Sequence, residues 1–190
     1  NKKTGERKCF TSRFGNNGTL VMMDFESYHL RLVGNYLNYD LPTSSIHKYL
    51  GKLYHGKDEL TEEEYDLSKK ITYNLIYGGI SDDIKKNVPF MNKISEYVDE
   101  TYKFFVKNSF VKTWFYNRKI KSSFIGDSPN EYKVFNYLLQ SAETERNCQI
   151  IQKVNKLLEG RKSKFILYTY DAFLFDTHSS EFELMLEIRD

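Results

Sequence analysis

Short apolar runs bounded by turn residues predict β-strands near both ends of the chain. Residues 8–14 and 19–25 alternate or run apolar around a Gly-Asn-Asn-Gly turn, a pattern that predicts a hairpin with a buried second strand. Two more hairpins are predicted at 110–120 and at 165–176. The turn of the last hairpin is expected at Tyr170-Asp171.

Helix signals fill the middle of the chain. The strongest is Thr61 followed three residues later by Glu64, a capping box that predicts a helix running to Tyr77 and stopped by Gly78-Gly79. Apolar spacing, with proline or glycine at several ends, predicts further helices at 28–37, 45–54, 89–107, 128–158 and 180–190. A strand region, many helices and a final hairpin together indicate an α+β fold.

Composition excludes several classes of protein. The chain has 190 residues, and 28 Lys+Arg against 26 Asp+Glu leave a formal net charge of +2. No apolar run approaches the roughly 20 residues of a membrane-spanning helix, so no membrane partner is expected. Two distant cysteines and four scattered histidines support neither a disulfide framework nor a zinc site. We therefore expect a reduced, intracellular protein of the cytoplasm.

Aromatic residues are dense, at 16% of the chain, and basic residues concentrate in two regions. Rings of this kind either build a core or stack on nucleic-acid bases. The near-neutral net charge leaves room only for a local nucleic-acid footprint, and solvated surface is the simpler interpretation of each basic region. The two regions are Lys2, Lys3, Arg7, Lys8 and Arg13, and then Lys103, Lys107, Lys112, Arg118, Lys119 and Lys121.

Two aspartates stand at the ends of predicted strands. Asp24 ends a hydrophobic strand directly before a helix, and Asp171 lies at a hairpin tip between apolar strands. Helix capping by Asp24 and turn geometry at Asp171 are the simpler interpretations. If the two strand ends lie side by side, however, their carboxylates repel each other unless cations bridge them. Hard oxygen ligands suit Mg²⁺, and two such ions support in-line phosphoryl transfer.

The capped helix carries one cation and two rings on a single face. Lys69, Tyr73 and Tyr77 recur at four-residue spacing and therefore share that face. A core stripe of aromatic rings beside a lysine that reaches solvent would have the same spacing. The functional interpretation is a platform on which the ammonium meets a triphosphate and the rings stack on sugar and base.

These features occur in the order found in the family A DNA polymerases, the bacterial polymerase I type. Asp24-Phe25-Glu26-Ser27-Tyr28-His29-Leu30-Arg31 resembles the first palm motif, usually D-Y-S-Q-x-E-L-R. Tyr65-x3-Lys69-x3-Tyr73-x3-Tyr77-Gly78 resembles the fingers helix R-x3-K-x3-[FY]-x3-Y-G, and Thr169-Tyr170-Asp171-Ala172 resembles the V-H-D-E of the last palm motif. Weaker matches occur at Ile46-His47, at the Phe110 to Arg118 hairpin and at Asn136-x3-Gln140.

The resemblance implies a polymerase palm, an antiparallel sheet with packed helices, joined to a helical fingers subdomain. It assigns residues 1–40 and 109–190 to the palm and 41–108 to the fingers, with the nucleotide-binding helix at 61–78. The thumb and the exonuclease of such enzymes have no counterpart here and are expected in the same longer chain or in a partner chain. Abundant Lys, Asn, Ile, Phe and Tyr suit an AT-rich genome. The divergent motifs suit a phage, whose enzyme would act in the host cytoplasm.

The resemblance also implies a role for each matched residue. Asp24 and Asp171, with the carbonyl of Phe25, would hold two Mg²⁺ ions, with Mn²⁺ as an alternative. The residues expected to bind the incoming dNTP are Lys69, as a catalytic cation, and His47, Tyr73, Tyr77 and His29. Those expected to contact the primer-template DNA are Arg31, Arg118, Asn136 and Gln140.

Several positions depart from the family pattern. Tyr65 replaces a triphosphate-binding arginine, His29 replaces the glutamate that selects against ribose, and Ala172 removes an accessory carboxylate. The expected activity is template-directed DNA polymerisation by two-metal phosphoryl transfer. The departures leave two alternatives open, a catalytically silent nucleic-acid-binding module and an enzyme similar to single-subunit RNA polymerases.

Overall fold

The computed structural model describes residues 9–189. Outside the described part lie Lys2, Lys3, Arg7 and Lys8, which is the first residue of the predicted N-terminal hairpin, and Asp190, the last residue of the predicted C-terminal helix. The described strands are β1 (Gly18–Asp24), β2 (Phe110–Lys112), β3 (Lys119–Lys121), β4 (Lys164–Thr169) and β5 (Ala172–His178). The helices are α1 (Tyr28–Tyr36), α2 (Ile46–His55), α3 (Glu62–Gly78), α4 (Asp82–Asn87), α5 (Pro89–Asn108), α6 (Ser122–Ile125), α7 (Glu131–Leu157) and α8 (Phe182–Arg189).

The chain forms two compact units. Among the described residues, the first unit combines 9–25 with 147–189, and the second comprises Glu26–Arg146. Mixed helix and antiparallel sheet confirm the predicted α+β class. The predicted boundaries between palm and fingers stay a prediction.

The first unit is built on a three-stranded antiparallel sheet in the order β1-β5-β4. Its core lies on one face of the sheet, where Phe173 and Phe175 pack with residues of α7 and α8. The opposite face keeps apolar side chains in solvent, and Met22 on β1 is 63% exposed. The expectation that the second strand of the N-terminal hairpin is buried is therefore wrong, because one face of this sheet is left uncovered.

The predicted partner of β1 is also wrong. Residues 10–14 form no strand, and β1 pairs along its full length with β5 instead. The side chain of Asp176 on β5 explains the difference, because it accepts hydrogen bonds from Ser12 Oγ at 2.6 Å and from the Arg13 backbone N–H at 3.3 Å. These bonds fold the segment before β1 into a turn rather than an extended strand.

The second unit is mainly helical and has two clusters of buried residues. The larger one joins α1, α2, α3, α5 and the start of α7, with Ile46, Ile76, Phe90 and Phe135 fully buried. The smaller one lies beneath the two-stranded sheet of β2 and β3. The six predicted helices are confirmed to within a few residues at their ends, whereas the short helices α4 and α6 were not predicted.

Close contact between α2 and α3 fixes two candidate site residues relative to each other. A Cβ at Gly51 would lie 2.6 Å from the hydroxyl of Ser68 on α3, so only glycine permits this approach. His47 on α2 and Lys69 on α3 lie within about one turn of this contact.

None of the helices in the described part of the chain combines the length and apolarity needed to cross a membrane.

The capping box of α3 supplies a test of this fold. Thr61 Oγ1 accepts a hydrogen bond from the Glu64 N–H at 3.3 Å, and Glu64 Oε2 accepts one from the Thr61 N–H at 2.9 Å. We expect Thr61→Ala to lower the free energy of unfolding by about 1 kcal/mol, because the first turn of α3 loses an acceptor. Urea denaturation measures the change, and Thr61→Ser, which keeps the hydroxyl, should preserve most of the stability. An equal loss in both variants would contradict the assigned role of the cap.

Candidate active site

Pairing of β1 with β5 brings the two candidate metal-binding aspartates close together. Asp24 lies directly opposite Ala172 in the ladder, so Asp171 is one residue beyond the partner of Asp24. The Phe25 backbone N–H extends the pairing by donating to the Asp171 carbonyl at 3.1 Å. Both aspartates are exposed. Two segments that are distant in the sequence thus place two carboxylates at the same edge of one sheet.

A tight turn with an unusual backbone conformation positions Asp171. Thr169 pairs directly with Ala172, so Tyr170 and Asp171 alone form the connection between β4 and β5. Tyr170 has φ of 55°, a left-handed conformation that is uncommon for residues other than glycine. Buried Asn147 on α7 donates its Nδ2 to the Tyr170 carbonyl at 3.2 Å. A side-chain contact from a helix therefore fixes the turn that carries Asp171.

The residues next to Asp24 anchor its strand end in the core of the first unit. The Phe25 ring packs edge-on against Phe173 at a centroid distance of 5.6 Å, and Met23 packs against the same cluster. A cavity of about 100 Å³ with mainly apolar walls lies beside Asp24 and extends to Arg189. Asp24 is thus an exposed carboxylate whose two neighbours in the chain, Met23 and Phe25, pack against the core of the first unit.

The carboxylates at this edge of the sheet are of the type that binds Mg²⁺. Mg²⁺ is commonly held by one or two carboxylates together with water and substrate phosphates, and Asp24 and Asp171 supply two hard anionic donors. Within residues 9–189, no group of three or more His, Cys, Asp or Glu side chains is arranged to hold a metal. The donors are therefore enough for an ion that shares its coordination with a phosphate substrate, and too few for a closed protein cage.

On α3 of the second unit, Lys69 already has two partners. Its Nζ lies 3.5 Å from Asp66 Oδ1 and 4.1 Å from the centroid of the Tyr65 ring. The Tyr65 hydroxyl is hydrogen-bonded to Ser45 Oγ at 3.3 Å, which attaches this ring to the start of α2. Tyr65, which stands where the family has an arginine, thus holds the neighbouring cation in place.

Aromatic rings continue from Lys69 along the same face of α3. Tyr73 and Tyr77 lie almost parallel, with an interplanar angle of 1° and centroids 6.2 Å apart. The His47 ring on α2 contacts Tyr73 at 5.5 Å. Tyr73 is 46% exposed, so its ring has an open face. The structure therefore brings His47 next to the face of α3 that carries Lys69, Tyr73 and Tyr77. The role of this face in nucleotide binding stays a prediction.

Two physical effects lower the pKa of His47 and therefore favour its neutral form. Burial lowers its pKa, and the nearby positive charge of Lys69 lowers it further, against a smaller opposing effect of Glu26. The Nδ1 atom of His47 is buried and has no hydrogen-bond partner among the described residues. This imidazole can therefore offer a polar atom to a ligand without adding a charge.

His29 connects the end of the platform to α7. Its Nδ1 lies 2.5 Å from the Tyr77 hydroxyl, and its Nε2 lies 2.5 Å from Glu143 Oε2. One imidazole thus bridges a phenol and a carboxylate on two different helices. Glu143 was not identified in the sequence, although it lies three residues after Gln140 and therefore on the same side of the helix.

Glu145 organises the loop between β2 and β3 and orients Arg118. Its Oε1 accepts from Arg118 Nε at 2.8 Å, and its Oε2 accepts from the N–H groups of Phe115 and Tyr116, both at 3.1 Å. Burial on its own would raise the pKa of Glu145. Hydrogen bonds from Thr113, from Arg118 and from the two backbone N–H groups outweigh burial, and the pKa is lowered. Glu145 is thus a buried anion that positions an exposed guanidinium group.

The other predicted DNA contacts have mixed environments. Asn136 donates its Nδ2 to the Tyr77 carbonyl at 3.3 Å, while its Oδ1 is buried and has no partner among the described residues. Gln140 is exposed. Arg31 donates to the Glu26 side chain and to the carbonyls of Glu26, Pro42, Thr43 and Ser44. Arg31 therefore has a clear structural role, and its contact with DNA stays a prediction.

Three residues that the sequence did not single out are important for this geometry: Glu143, Glu145 and Asn147. All three lie in the middle of α7, which carries charged and polar residues on several faces. Their spacing from Gln140 was a usable signal for Glu143. Nothing local marks Glu145 or Asn147, because their hydrogen-bond partners lie more than twenty residues away in the sequence.

Comparison with known proteins identifies relatives of both the sequence and the fold. No protein-family model matches the chain. The sequence is 26% identical to DNA polymerase I from Caldicellulosiruptor bescii, in an alignment that covers 96% of this chain and 25% of that protein. The chain thus spans about a quarter of the length of the curated relative it matches.

The fold is similar to that of the POL domain of Pol1 from M. smegmatis, whose structure was solved in complex with DNA primer-template and dNTP. The TM-score is 0.75 and the sequence identity 16%, over 98% of this chain and 39% of that chain. The arrangement of motifs, the curated relative and the fold agree, and the chain is similar in sequence and fold to a part of family A DNA polymerases.

Proposed function

We propose that the chain is the catalytic core of a template-directed DNA polymerase, which adds deoxynucleotides to the 3′ end of a primer. The observation that carries this proposal is the adjacency of Asp24 and Asp171 at one edge of the β1-β5-β4 sheet. Polymerase function also requires a cation and aromatic rings for the nucleotide, and α3 supplies both. The relatives are a DNA polymerase I and a polymerase domain solved with primer-template and dNTP.

In this proposal, Asp24 and Asp171 would hold Mg²⁺, with the Phe25 carbonyl as a further ligand. When bound, the ion would supply neutralisation of the charge that develops during phosphoryl transfer. Lys69 donates charge-assisted hydrogen bonds to the triphosphate, and His47 contributes a neutral polar contact beside it. Tyr73 and Tyr77 present ring faces to the sugar and the base. Catalysis of this type depends on positioning and charge stabilisation rather than on a protein nucleophile.

Arg118, held by Glu145, is assigned to the primer-template duplex together with Asn136 and Gln140. An arginine whose Nε is fixed by a buried carboxylate keeps its terminal nitrogens in a defined direction, which favours hydrogen bonding to base edges or sugars. Arg31 is assigned to the DNA through the part of its guanidinium group that remains exposed.

A catalytically silent nucleic-acid-binding module is the second candidate. It is favoured by Ala172, which stands where the family has an accessory carboxylate, and by the lack of a third acidic ligand within residues 9–189. Such a module would bind primer-template DNA in a salt-sensitive way, would not respond to Mg²⁺ and would not extend the primer.

Substitution of either aspartate tests the polymerase proposal. We expect Asp171→Asn and Asp24→Asn each to reduce Mg²⁺-dependent primer extension by at least about a thousandfold, because metal-ion stabilisation of the transition state is worth several kcal/mol. Asp58→Asn, at an exposed site outside the sheet, is the matched control and should extend primers normally. EDTA should abolish extension by the unmodified chain. Extension that survives either substitution would remove that aspartate from the mechanism.

Substitution of Lys69 tests the nucleotide platform. We expect Lys69→Met to lower kcat/KM for dNTP by about tenfold to a hundredfold, since a hydrogen bond to a charged group contributes roughly 1.5–3 kcal/mol. Steady-state primer extension measures this ratio. Lys70→Met removes the neighbouring charge and is the control, with an expected change of less than about twofold on the scale of exposed charges. An equal loss of kcat/KM in both variants would indicate an effect of net charge rather than a specific contact of Lys69 with the dNTP.

The bridge formed by His29 leads to a prediction about the choice of sugar. We expect His29→Ala to raise the ratio of rNTP to dNTP incorporation by about tenfold, or ~1.4 kcal/mol, because removal of the ring opens space beside Tyr77. Glu143→Gln keeps the ring and a hydrogen-bonding partner, and should change this ratio much less. Competitive incorporation on a defined template measures both variants. A larger effect of Glu143→Gln would mean that charge, rather than ring volume, controls the selection.

A further inference from the structure

A pair of like charges in the two-stranded sheet is unfavourable for folding. Lys112 on β2 lies directly opposite Lys119 on β3, and Lys121 lies opposite Phe110. Like charges at directly opposed positions destabilise an antiparallel pair. Within residues 9–189, neither Lys112, Lys119 nor Lys121 forms a salt bridge with an acidic side chain. The opposed pair of Lys112 and Lys119 therefore does not stabilise the hairpin.

The same face of the hairpin carries exposed aromatic surface. Alternation along the strands directs Val111 and Ile120 into the smaller core and leaves Phe110 on the face with the lysines. Phe104, near the end of α5, packs edge-on against Phe110 at 5.7 Å and is itself 45% exposed. Lys119 Nζ lies 4.5 Å from the centroid of the Phe110 ring.

The surroundings of Phe104 add positive charge and a recess. Lys103 and Lys107 lie on the same stretch of α5, and both are exposed. A cavity of about 250 Å³ is lined by Phe104, Val111, Lys112 and Leu138, together with Tyr97, Glu100 and Thr101. We call the surface formed by Phe104, Phe110, Lys112, Lys119 and Lys121 the hairpin face.

We propose that the hairpin face binds single-stranded nucleic acid, with phosphates on its lysines and a base stacked on Phe104. Lysines without acidic partners match a polyanion, and such a ligand removes the repulsion between Lys112 and Lys119. An exposed ring contributes to binding only when bases are unstacked, as they are in a single strand. Duplex DNA would use the lysines and leave the ring without a partner. The hairpin face contains none of the residues assigned above to primer-template DNA, and it needs no metal.

A titration followed by fluorescence anisotropy tests this inference. The full chain is added, in the presence of EDTA, to a labelled oligothymidylate of twelve nucleotides. We expect the double variant Lys112→Gln/Lys119→Gln to weaken binding about tenfold. The steepness of the plot of log binding constant against log salt concentration should fall by about 1.4, or about 0.7 for each lost phosphate contact. Phe104→Leu should weaken binding at least about fivefold, because stacking on an aromatic ring contributes roughly 1–3 kcal/mol per base. Phe104→Trp should retain the binding.

Matched controls distinguish binding at the hairpin face from general attraction by charge and from loss of folding. Lys86→Gln/Lys93→Gln removes the same charge elsewhere in the second unit and should leave binding within about twofold, as expected for charges outside the site. The lysines of the hairpin face are exposed, so their substitution should preserve the thermal unfolding followed by circular dichroism. Asp171→Asn should bind the oligonucleotide normally even if it abolishes primer extension, so failure of the polymerase proposal can be told apart from failure of this one.

Three outcomes would overturn the proposal. The first is lack of measurable binding of the oligonucleotide by the unmodified chain. The second is an equal loss of binding in the control double variant, which would indicate nonspecific attraction by net charge. The third is an equal loss of affinity of Phe104→Leu for a blunt-ended duplex, which would show that the ring does not stack on unstacked bases.

Discussion

Antiparallel pairing between β1 and β5 is the constraint on which the candidate catalytic edge depends. The ladder joins Gly18–Asp24 to residues at the other end of the chain, so most of the sequence lies inside the loop that it closes. Closing such a loop costs conformational entropy, which the packing of Phe173 and Phe175 beneath the sheet must offset. A shift of one residue in the register would move Asp24 to the core face. The position of the carboxylates is therefore set by the same apolar alternation that buries the phenylalanines.

Buried or half-buried polar contacts fix the directions of the other site residues. His29 is held between a phenol and a carboxylate, and Arg118 is held by a carboxylate that also binds two backbone N–H groups. Each contact satisfies a group that would be costly to leave unpaired in a poorly solvated place. The side chains that would face a ligand are consequently positioned before any ligand arrives, which reduces the entropy lost on binding.

Local signals were sufficient for much of this structure. The capping box marked α3, and the turn residues marked the hairpin that carries Asp171, because both features depend on neighbouring residues alone. The pairing of β1 could not be deduced locally, since its partner lies more than 140 residues away and the nearby turn was equally consistent with a hairpin. The platform residues were found from their four-residue spacing. Glu145, the partner of Arg118, was missed because its tertiary contacts leave no periodic trace in the sequence.

The environment of Lys69 has a consequence for any anion that it binds. Its ammonium is already shared between a carboxylate on the same helix and the face of Tyr65. An ammonium has three hydrogen-bond donors, so a triphosphate can bind Lys69 while Asp66 stays in place. The carboxylate of Asp66 would then repel the phosphates that the ammonium attracts. The observed affinity would report the difference between this attraction and this repulsion, and the aspartate would weaken the binding of every anion at this position.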